Sequence, residues 1–262
     1  MTKEKFYTTQ LQAGLGMVGE TRKLFELWEP GMSSTQLFQI ALDSGEFPNV
    51  AARRLRNIVA ECFAPRLLVS NGYPAIILKQ LLPHLSSLEF NQLLFLYTCR
   101  ANIILADFVR EVFWNRYLSG YEAISKEDAV EFVIRATQFG KTAKPWSEST
   151  IRRVSGYLPG CCADFGLLDS GVKINRKILS FRIESKVANI LAYDLHFSGL
   201  GDNSILAHSD WKLFGLERND VLDELKRLSL KGFLIVQAAG DVTRISWNFK
   251  SWEELINVIT QG

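Results

Sequence analysis

Residues 217–247 constrain the fold most, because they predict a helix, a tight stop and a two-stranded hairpin in that order. In the first part, ERNDVLDELKRLSL, the apolar residues recur at a spacing that places them on one stripe of a helix. These residues are Val221, Leu222, Leu225 and Leu228. We therefore predict a helix with one buried face.

The second part of this stretch predicts the hairpin. Gly232 is expected to end the helix, because glycine readily adopts the left-handed conformation found there. Phe233 to Gln237 is an apolar, β-branched run, Gly240-Asp241 predicts a turn, and Val242 to Trp247 alternates like a returning strand. A helix followed by a hairpin is the outline of a winged helix. Such modules mostly bind nucleic acid, but many dock proteins, so the class of function stays open.

The length and composition of the chain predict a folded protein of two or three domains. The chain has 262 residues, of which 47% are hydrophobic and 22% charged, as is usual for globular proteins. The formal net charge of +2 is too small to indicate nucleic-acid binding by itself. Any electrostatic argument must therefore come from local clusters.

Cysteine usage and hydropathy favour a cytoplasmic protein. Cys62, Cys99 and the pair Cys161-Cys162 form no C-x-x-C motif and have no histidine at ligand spacing, so we expect buried thiols in a reducing compartment and no metal site. The first residues do not resemble a signal peptide. Polar residues interrupt the apolar stretch from Leu93 to Val109, which predicts a core helix and no membrane association.

The fold class predicted from the whole chain is mainly α, beginning with a helical bundle over residues 1–120. Start signals recur there: Ser34 for a helix through Ala41, Pro48 for one through Phe63, and a capping box at Ser86-Ser87-Leu88-Glu89 for a long apolar helix. The breaks between helices are expected at Pro65, Asn71-Gly72 and Pro83. Breaks this short favour a compact antiparallel bundle.

Two winged-helix units are predicted after the bundle, at residues 121–185 and 186–262. In the first, Ser125 and Asp128 cap a helix through Thr137, and a second helix starts at Glu148 and is disturbed at Pro159-Gly160. Its wing is predicted as two strands, Val172 to Ile174 and Leu179 to Ile183, joined by Asn175-Arg176-Lys177. The second unit contains the helix and hairpin described above, followed by a C-terminal helix capped at Ser251-Trp252-Glu253-Glu254.

Motifs typical of enzymes fail on their context. Gly14-Leu15-Gly16-Met17-Val18-Gly19 matches a dinucleotide fingerprint, but the preceding residues are too polar for a buried strand, so we interpret the glycines as permitting a helix start or a close helix contact. Gly140-Lys141-Thr142 lacks the first glycine of a phosphate-binding loop. The three histidines, His84, His196 and His208, are scattered. We predict neither catalysis nor a cofactor.

The predicted DNA-contacting surface lies on the first winged helix. Opposite the apolar stripe of Ile151, Val154 and Leu158, its second helix presents Ser149, Arg152, Arg153 and Gly156, side chains suited to phosphate or base edges and a glycine that permits close approach. Lys141 and Lys144 lie just ahead, and the wing adds Lys173, Arg176, Lys177 and Arg182 without an acid between Gly171 and Ile183. Such a surface would neutralise several phosphates.

Two other charged surfaces point in different directions. The helix at 217–230 carries Asp220, Asp223, Lys226 and Arg227 opposite its apolar stripe, so its charges cancel, which favours protein docking or a structural role. A further cluster places Arg53, Arg54 and Asn57 on the outer side of a helix. This cluster is either a solvated face paired with acids such as Glu61 or an additional phosphate-contacting stripe.

The segments YTTQLQAGLGM, ETRKLFELW and especially SGEFPNVAARRLRNIVAECFAPRLL resemble the BrxA family of BREX bacteriophage-defence systems. The resemblance implies a non-catalytic accessory protein, a bundle similar to the NusB antitermination factor, winged-helix elements and double-stranded DNA binding. It assigns no individual DNA-contacting residue.

Our leading hypothesis is a non-enzymatic component that holds duplex DNA by its backbone, with low sequence specificity. The alternatives are an assembly adaptor that binds other defence proteins, favoured by the balanced charge of the second helix, and an RNA-binding, antitermination-like factor, which rests on the implied bundle similarity alone.

Overall fold

The structure, a computed structural model, describes residues 6–171, 174–239 and 242–261. The chain is mainly helical, which confirms the predicted class. The α-helices are α1 (Val18–Leu27), α2 (Ser34–Asp43), α3 (Ala52–Asn57), α4 (Ala64–Leu67), α5 (Tyr73–Leu81), α6 (Ser87–Ala101), α7 (Ile103–Phe108), α8 (Trp114–Leu118), α9 (Lys126–Gln138), α10 (Glu148–Asp164), α11 (Ser185–Phe197), α12 (Asp202–Leu206), α13 (Arg218–Leu230) and α14 (Trp252–Gln261). The strands are β1 (Ala123–Ser125), β2 (Asn175–Lys177), β3 (Leu234–Ala239) and β4 (Val242–Trp247).

The chain forms two compact units. The first comprises Met1–Ile76 and Leu94–Phe181, and the second comprises Ile77–Leu93 and Arg182–Gly262. Helices α5 and α6 each contribute residues to both units. The division into a bundle and two winged-helix segments remains a prediction.

Aromatic side chains fill the core of the first unit. The rings of Phe25 and Phe63 meet edge to face with centroids 5.2 Å apart, and those of Phe108 and Phe132 do so at 5.5 Å. Phe95 packs against Phe165 at a centroid distance of 5.5 Å. Edge-to-face geometry adds electrostatic attraction to the burial of apolar area. This packing joins helices that are distant in sequence.

The helix predicted from Pro48 to Phe63 begins later and continues further than predicted. The amide of Val50 bonds to the carbonyl of Phe47 at 3.0 Å, so the chain turns first and α3 starts at Ala52. A π-helical turn, Ile58–Phe63, then leads directly into α4. Pro65 was wrongly predicted as a break, because the helical chain continues through it: Pro65 is the second residue of α4 and directly follows the π-helical turn.

The long apolar helix predicted over Leu93 to Val109 is broken at Asn102. This residue leaves the helical region, with φ −128° and ψ 87°, and its side-chain amide donates to the carbonyl of Thr98 at 3.0 Å. The segments Ser87–Ala101 and Ile103–Leu118 are therefore bent by 113°. Among the described residues, no single helix is long and apolar enough to cross a membrane. Only the two segments of this bent pair, taken together, reach the length and apolar composition of a membrane span.

The predicted wing of residues 172–183 is wrong as a hairpin. Val172 and Lys173 lie outside the described residues, Leu179 to Ile183 is not a strand, and the predicted turn Asn175-Arg176-Lys177 is itself strand β2. Strand β2 pairs antiparallel with β1, with Ile124 opposite Arg176. The backbone groups of β2 are thus satisfied by a segment about fifty residues earlier, which local sequence patterns do not reveal.

Helices α9 and α10 follow the sequence signals at their starts. Ser125 and Asp128 form the predicted capping box of α9, and Ser147 caps α10 by accepting from the amide of Thr150 at 3.3 Å. The predicted disturbance at Pro159-Gly160 is absent, because α10 continues to Asp164. Its C-terminal half is held by the full burial of side chains around the proline, including Leu158, Cys161 and Cys162.

In the second unit, the predicted helix and both predicted strands are confirmed as α13, β3 and β4. Val221, Leu225 and Leu228 are fully buried, Gly232 has φ +78°, and Val236 lies opposite Ile245 in the hairpin. The predicted turn at Gly240-Asp241 lies outside the described residues. The predicted caps at Ser86 and Ser251 are also confirmed, whereas α2 is capped by Ser33 and not by Ser34.

Candidate nucleic-acid interface

Helix α10 presents the outer face that the sequence predicts. Val154 and Leu158 are buried and Ile151 is half-buried. The exposed residues on the other side are Ser149, Arg152, Arg153 and Gly156. The hydroxyl of Ser149 lies 3.0 Å from that of Ser147 in the first turn.

The two arginines of this face differ in their partners. Arg152 Nη2 lies 2.6 Å from Glu148 Oε1, and the two side chains are 68% and 86% exposed. Ion pairs this exposed contribute at most about 1 kcal/mol, so a competing phosphate can replace the glutamate. Arg153 is exposed and makes no hydrogen bond or ion pair within the described residues. Its charge is therefore fully available.

Lys141 is held in a network of its own chain. Its Nζ lies 3.0 Å from Glu111 Oε1, 3.4 Å from Asp107 Oδ2 and 3.1 Å from the hydroxyl of Tyr7. Burial opposes its charged form, but the hydrogen bonds and charges of Glu111 and Asp107 outweigh burial and raise the pKa of Lys141. Glu111 also pairs with Arg135 at 3.8 Å. Asp107 pairs in addition with Arg110 at 3.4 Å. Lys141, which the sequence predicts to be available for phosphate, is therefore engaged by acids of its own chain.

The same network fixes the start of the described chain. The Tyr7 hydroxyl donates to Asp107 Oδ2 at 2.6 Å, and the amide of Tyr7 donates to the carbonyl of Lys141 at 2.8 Å. Burial, followed by the hydrogen bond and charge of Asp107, raises the pKa of the Tyr7 phenol far above its ordinary value. Lys144, by contrast, is exposed and has no partner in the parts of the chain that the structure describes.

The basic residues of β2 are partly engaged. Arg176 Nη1 donates to the main-chain carbonyl of Asp169 at 2.8 Å, which leaves its charge uncompensated by that bond. The amide of Lys177 donates to the Asp169 carboxylate at 2.8 Å, and the Lys177 side chain is exposed. Lys173 lies outside the described residues. Arg182 is exposed and belongs to the second unit.

The cluster on α3 also divides. Arg54 donates to the carbonyl of Ala13 and lies 3.7 Å from the sulfur of Met17, so it supports the N-terminal loop. Arg53 and Asn57 are exposed, and no described residue pairs with either of them, Glu61 included. Arg56 is equally exposed and unpaired within the described ranges. Arg56 follows Arg53 by three residues, so the two lie on one face of α3. This spacing was enough to predict that Arg56 belongs to the exposed cluster.

The glycine motif has a structural role, as the sequence interpretation predicted. A Cβ at Gly16 would lie 2.5 Å from the Cβ of Asp164, and one at Gly14 would lie 2.6 Å from Met17 Cγ. The amide of Gly16 donates to Asp164 Oδ2 at 2.9 Å. Gly16 thus permits close packing of the loop before α1 against α10, and Gly14 permits close packing of the loop against Met17 and Cys62.

Sequence patterns missed the residue that organises this loop. Arg66 is only 3% exposed, and its guanidinium donates to the carbonyls of Gly14 at 2.9 Å, Leu15 at 2.6 Å and Gly16 at 2.9 Å. The sequence gives one indication of this role: Arg66 is a basic residue at a position that the apolar spacing of the helix predicts to be buried. Arg66 is therefore a structural cation and is not part of the basic surface.

The outer face of α13 is neutralised, as predicted. Lys226 Nζ lies 2.9 Å from Asp223 Oδ1, and Arg227 Nη1 lies 2.7 Å from Glu224 Oε2. The carboxylate of Asp220 accepts from the amide of Glu217 at 2.9 Å in a capping box. This face has no excess of positive charge to offer a phosphate backbone.

The fold and these surfaces define a mainly helical protein with exposed basic side chains on α3, α10 and the segments beside them. The chain belongs to the BrxA family, whose model matches residues 5–194. This confirms the family predicted from the sequence. Membership implies a role in BREX phage defence as an accessory protein associated with other BREX proteins. A comparison with curated proteins finds no match. The family match ends within α11, so it does not include α13 or the β3–β4 hairpin.

Proposed function

We propose that this protein is a cytoplasmic, non-catalytic component of a BREX system that binds double-stranded DNA mainly through the phosphate backbone. Family membership supports the defence role. The exposed α10 face supports the DNA contact, because unpaired arginine and lysine side chains give affinity without selecting bases. Low sequence specificity follows from a surface that contacts mainly phosphates.

The proposal includes the arrangement of the chain as a NusB-like bundle followed by two winged-helix units. The first proposed winged-helix unit contains four consecutive elements, β1, α9, α10 and β2. Its two strands pair with each other although two helices separate them in sequence. In the second, α11, α12 and α13 precede the β3–β4 hairpin. Both orders support winged helices, although the first has a single strand where a hairpin was predicted.

Arg153 carries the proposal. It lies on the exposed face of α10 without a partner among the described residues, whereas Arg152 and Lys141 have acidic partners. We rank Arg153 and Lys144 first, followed by Arg53, Asn57 and Lys177, which are exposed side chains of the same unit. Arg152 and Ser149 flank Arg153 and contribute once a phosphate competes for them.

The test is duplex affinity measured against salt concentration. For the combined variant Arg153→Ala and Lys144→Ala, we expect weaker binding and a log–log salt slope reduced by about two units, since each lost phosphate contact removes about 0.9. The matched control is Lys226→Ala, which removes an exposed but paired lysine of α13 and is expected to change neither quantity. Unchanged affinity and slope in the double variant would contradict this assignment.

An assembly adaptor is the second candidate, and the neutral face of α13 favours it. A pull-down from cells expressing the complete defence system, with and without nuclease, separates the two functions. Partner capture that survives nuclease supports the adaptor, and capture that is lost supports DNA binding. Competition between duplex DNA and structured RNA tests the antitermination-like alternative, because A-form grooves require different contacts.

A further inference from the structure

Two cavities of the first unit share Lys126 and are lined by successive turns of α10, so together they form a groove along this helix. One, of about 430 Å³, is lined by Lys126, Val130 and Ile134 of α9 and by Glu148, Ile151 and Arg152 of α10. The other, of about 340 Å³, shares Lys126 and continues along α10 past Gly156 to Pro159, with Arg176 of β2 on its far side. We call this the α9–α10 groove.

The floor of the groove is apolar. Val130 and Ile134 are spaced by four residues on one face of α9, and Ile151 lies across from them. Ile134 remains 39% exposed, and Ile174 at the other end is 71% exposed. Phosphate groups do not cover apolar side chains, whereas a protein segment with its own apolar face gains free energy by burying them. The floor therefore favours a protein occupant over a nucleic-acid backbone.

The rim of the groove is positively charged. Its described lining residues include three cations, Lys126, Arg152 and Arg176, and one acid, Glu148. Lys126 has no ion-pair partner in the described part of the chain, and Arg176 is bonded to an uncharged carbonyl. The single acid is engaged by Arg152 at the exposed end. Charge complementarity thus selects an acidic partner.

The length of the groove indicates the shape of this partner. From Glu148 to Pro159 it follows α10 for eleven residues, or roughly 16 Å at 1.5 Å per residue. That is about three helical turns, enough for apolar anchors at i, i+3 or i+4 and i+7 of a docked helix. We propose that the α9–α10 groove binds an acidic amphipathic helix of a partner protein. The inference goes beyond DNA binding. Arg153 and Lys144, which rank first for DNA contact, do not line the groove, whereas Arg152, Gly156 and Arg176 line it and also belong to the predicted DNA-contacting surface.

The probe is a fluorescent synthetic amphipathic helix of about 18 residues, or five turns, with a leucine face and glutamate flanks. A version with lysine flanks and a scrambled version of the acidic peptide serve as probe controls. With the full chain, we expect the acidic helix to bind at least about tenfold more tightly than either control, as measured by fluorescence anisotropy. Equal affinity for all three peptides overturns the proposal.

The variants locate the binding. Ile134→Asp should weaken binding of the acidic helix at least about tenfold, whereas Leu118→Asp, at a side chain 75% exposed outside the groove, should not. Lys126→Glu, on an exposed residue where folding is not at risk, should shift preference toward the lysine-flanked peptide. Circular dichroism and urea unfolding check that the variants fold.

Three outcomes would contradict the groove assignment. The first is unchanged affinity for the acidic peptide in both Ile134→Asp and Lys126→Glu. The second is a loss of duplex affinity in Ile134→Asp with no loss of peptide affinity, which assigns the groove to DNA. The third is self-association of the wild-type chain that Ile134→Asp abolishes in sedimentation experiments, which assigns the groove to a second copy.

Discussion

Arg66 Nη2 donates to the main-chain carbonyl of Gly14 at 2.9 Å. A buried cation therefore occupies the glycine loop, which would have to remain accessible if the glycine pattern bound a dinucleotide. The same guanidinium bonds the carbonyls of Leu15 and Gly16. Since the three carbonyls turn toward Arg66, the loop is arranged to bind a fixed side chain. The glycine pattern is thus explained by the packing of this protein's own helices.

Replacing Arg66 should destabilise the protein strongly. Arg66→Met keeps much of the length but leaves the three carbonyl oxygens without this donor, and unsatisfied buried acceptors cost about 1–3 kcal/mol each. We expect a loss of at least about 3 kcal/mol in the free energy of unfolding, measured by urea denaturation. Arg56→Ala, at an exposed site of the same continuous helix, is the control and should stay within about 0.5 kcal/mol. Equal effects of the two substitutions would refute the structural role of Arg66.

The glycine motif allows a second matched comparison. Gly16→Ala places a methyl group 2.5 Å from Asp164 Cβ and should cost about 1–3 kcal/mol of stability. Gly19→Ala meets nothing within 4 Å and lies in α1, so it should stabilise by about 0.5–1 kcal/mol. Thermal or urea unfolding of both variants measures the difference. The same sign for both substitutions would show that close packing does not explain the first glycine.

Local patterns predicted elements well, and distant pairing decided what they missed. Helix α13 and its hairpin were predictable because Val221, Leu225 and Gly232 carry their signals within a few residues. The pairing of β1 with β2 was not, because Ile124 and Arg176 are far apart in sequence and neither segment alone resembles a buried strand.

The candidate interface follows the same rule. The outward direction of Arg152 and Arg153 was predictable from the helical period, and the structure exposes both. Their availability was not, because it depends on which acids fold next to which cations. Lys141 seemed unopposed in its own segment, but Glu111, thirty residues earlier, pairs with it. A segment that contains few acids can therefore have less available positive charge than its own sequence indicates, because acids from distant segments pair with its cations.

The four thiols should be unreactive in the native protein. Cys62, Cys99, Cys161 and Cys162 are buried, and none of these four described residues forms a disulfide. Burial raises the pKa of Cys161 to about 12 and that of Cys162 well above its ordinary value, and only the thiolate is nucleophilic. We expect slow reaction with a thiol-specific disulfide reagent at pH 8 and rapid reaction of all four thiols in denaturant. Rapid native labelling at Cys161 or Cys162 would contradict the observed packing of α10.

Stability should fall as the pH rises above about 10, and Tyr7 should be a principal cause. Burial raises the pKa of Tyr7 in the folded state, with further contributions from the hydrogen bond and charge of Asp107. Above its unfolded pKa of about 10, the unfolded phenol loses its proton while the folded one retains it, so unfolding becomes more favourable. The raised pKa of Lys141 acts in the same direction, because its stabilisation is lost as the pH rises through the folded pKa.

Tyr7→Phe isolates the phenol from this network. The variant loses the hydrogen bond to Asp107 and should be less stable than wild type at pH 8, by about 1.5–3 kcal/mol for a bond to a charged acceptor. Between pH 9 and pH 11, its free energy of unfolding should fall less steeply, because one ionising group is gone. Tyr121→Phe, at an exposed phenol, is the matched control for the pH effect. If the free energy of unfolding falls with pH equally steeply in wild type and Tyr7→Phe, then Tyr7 has the same pKa in the folded and unfolded chains. The proposed link between the Tyr7–Asp107 hydrogen bond and alkaline stability would then be wrong.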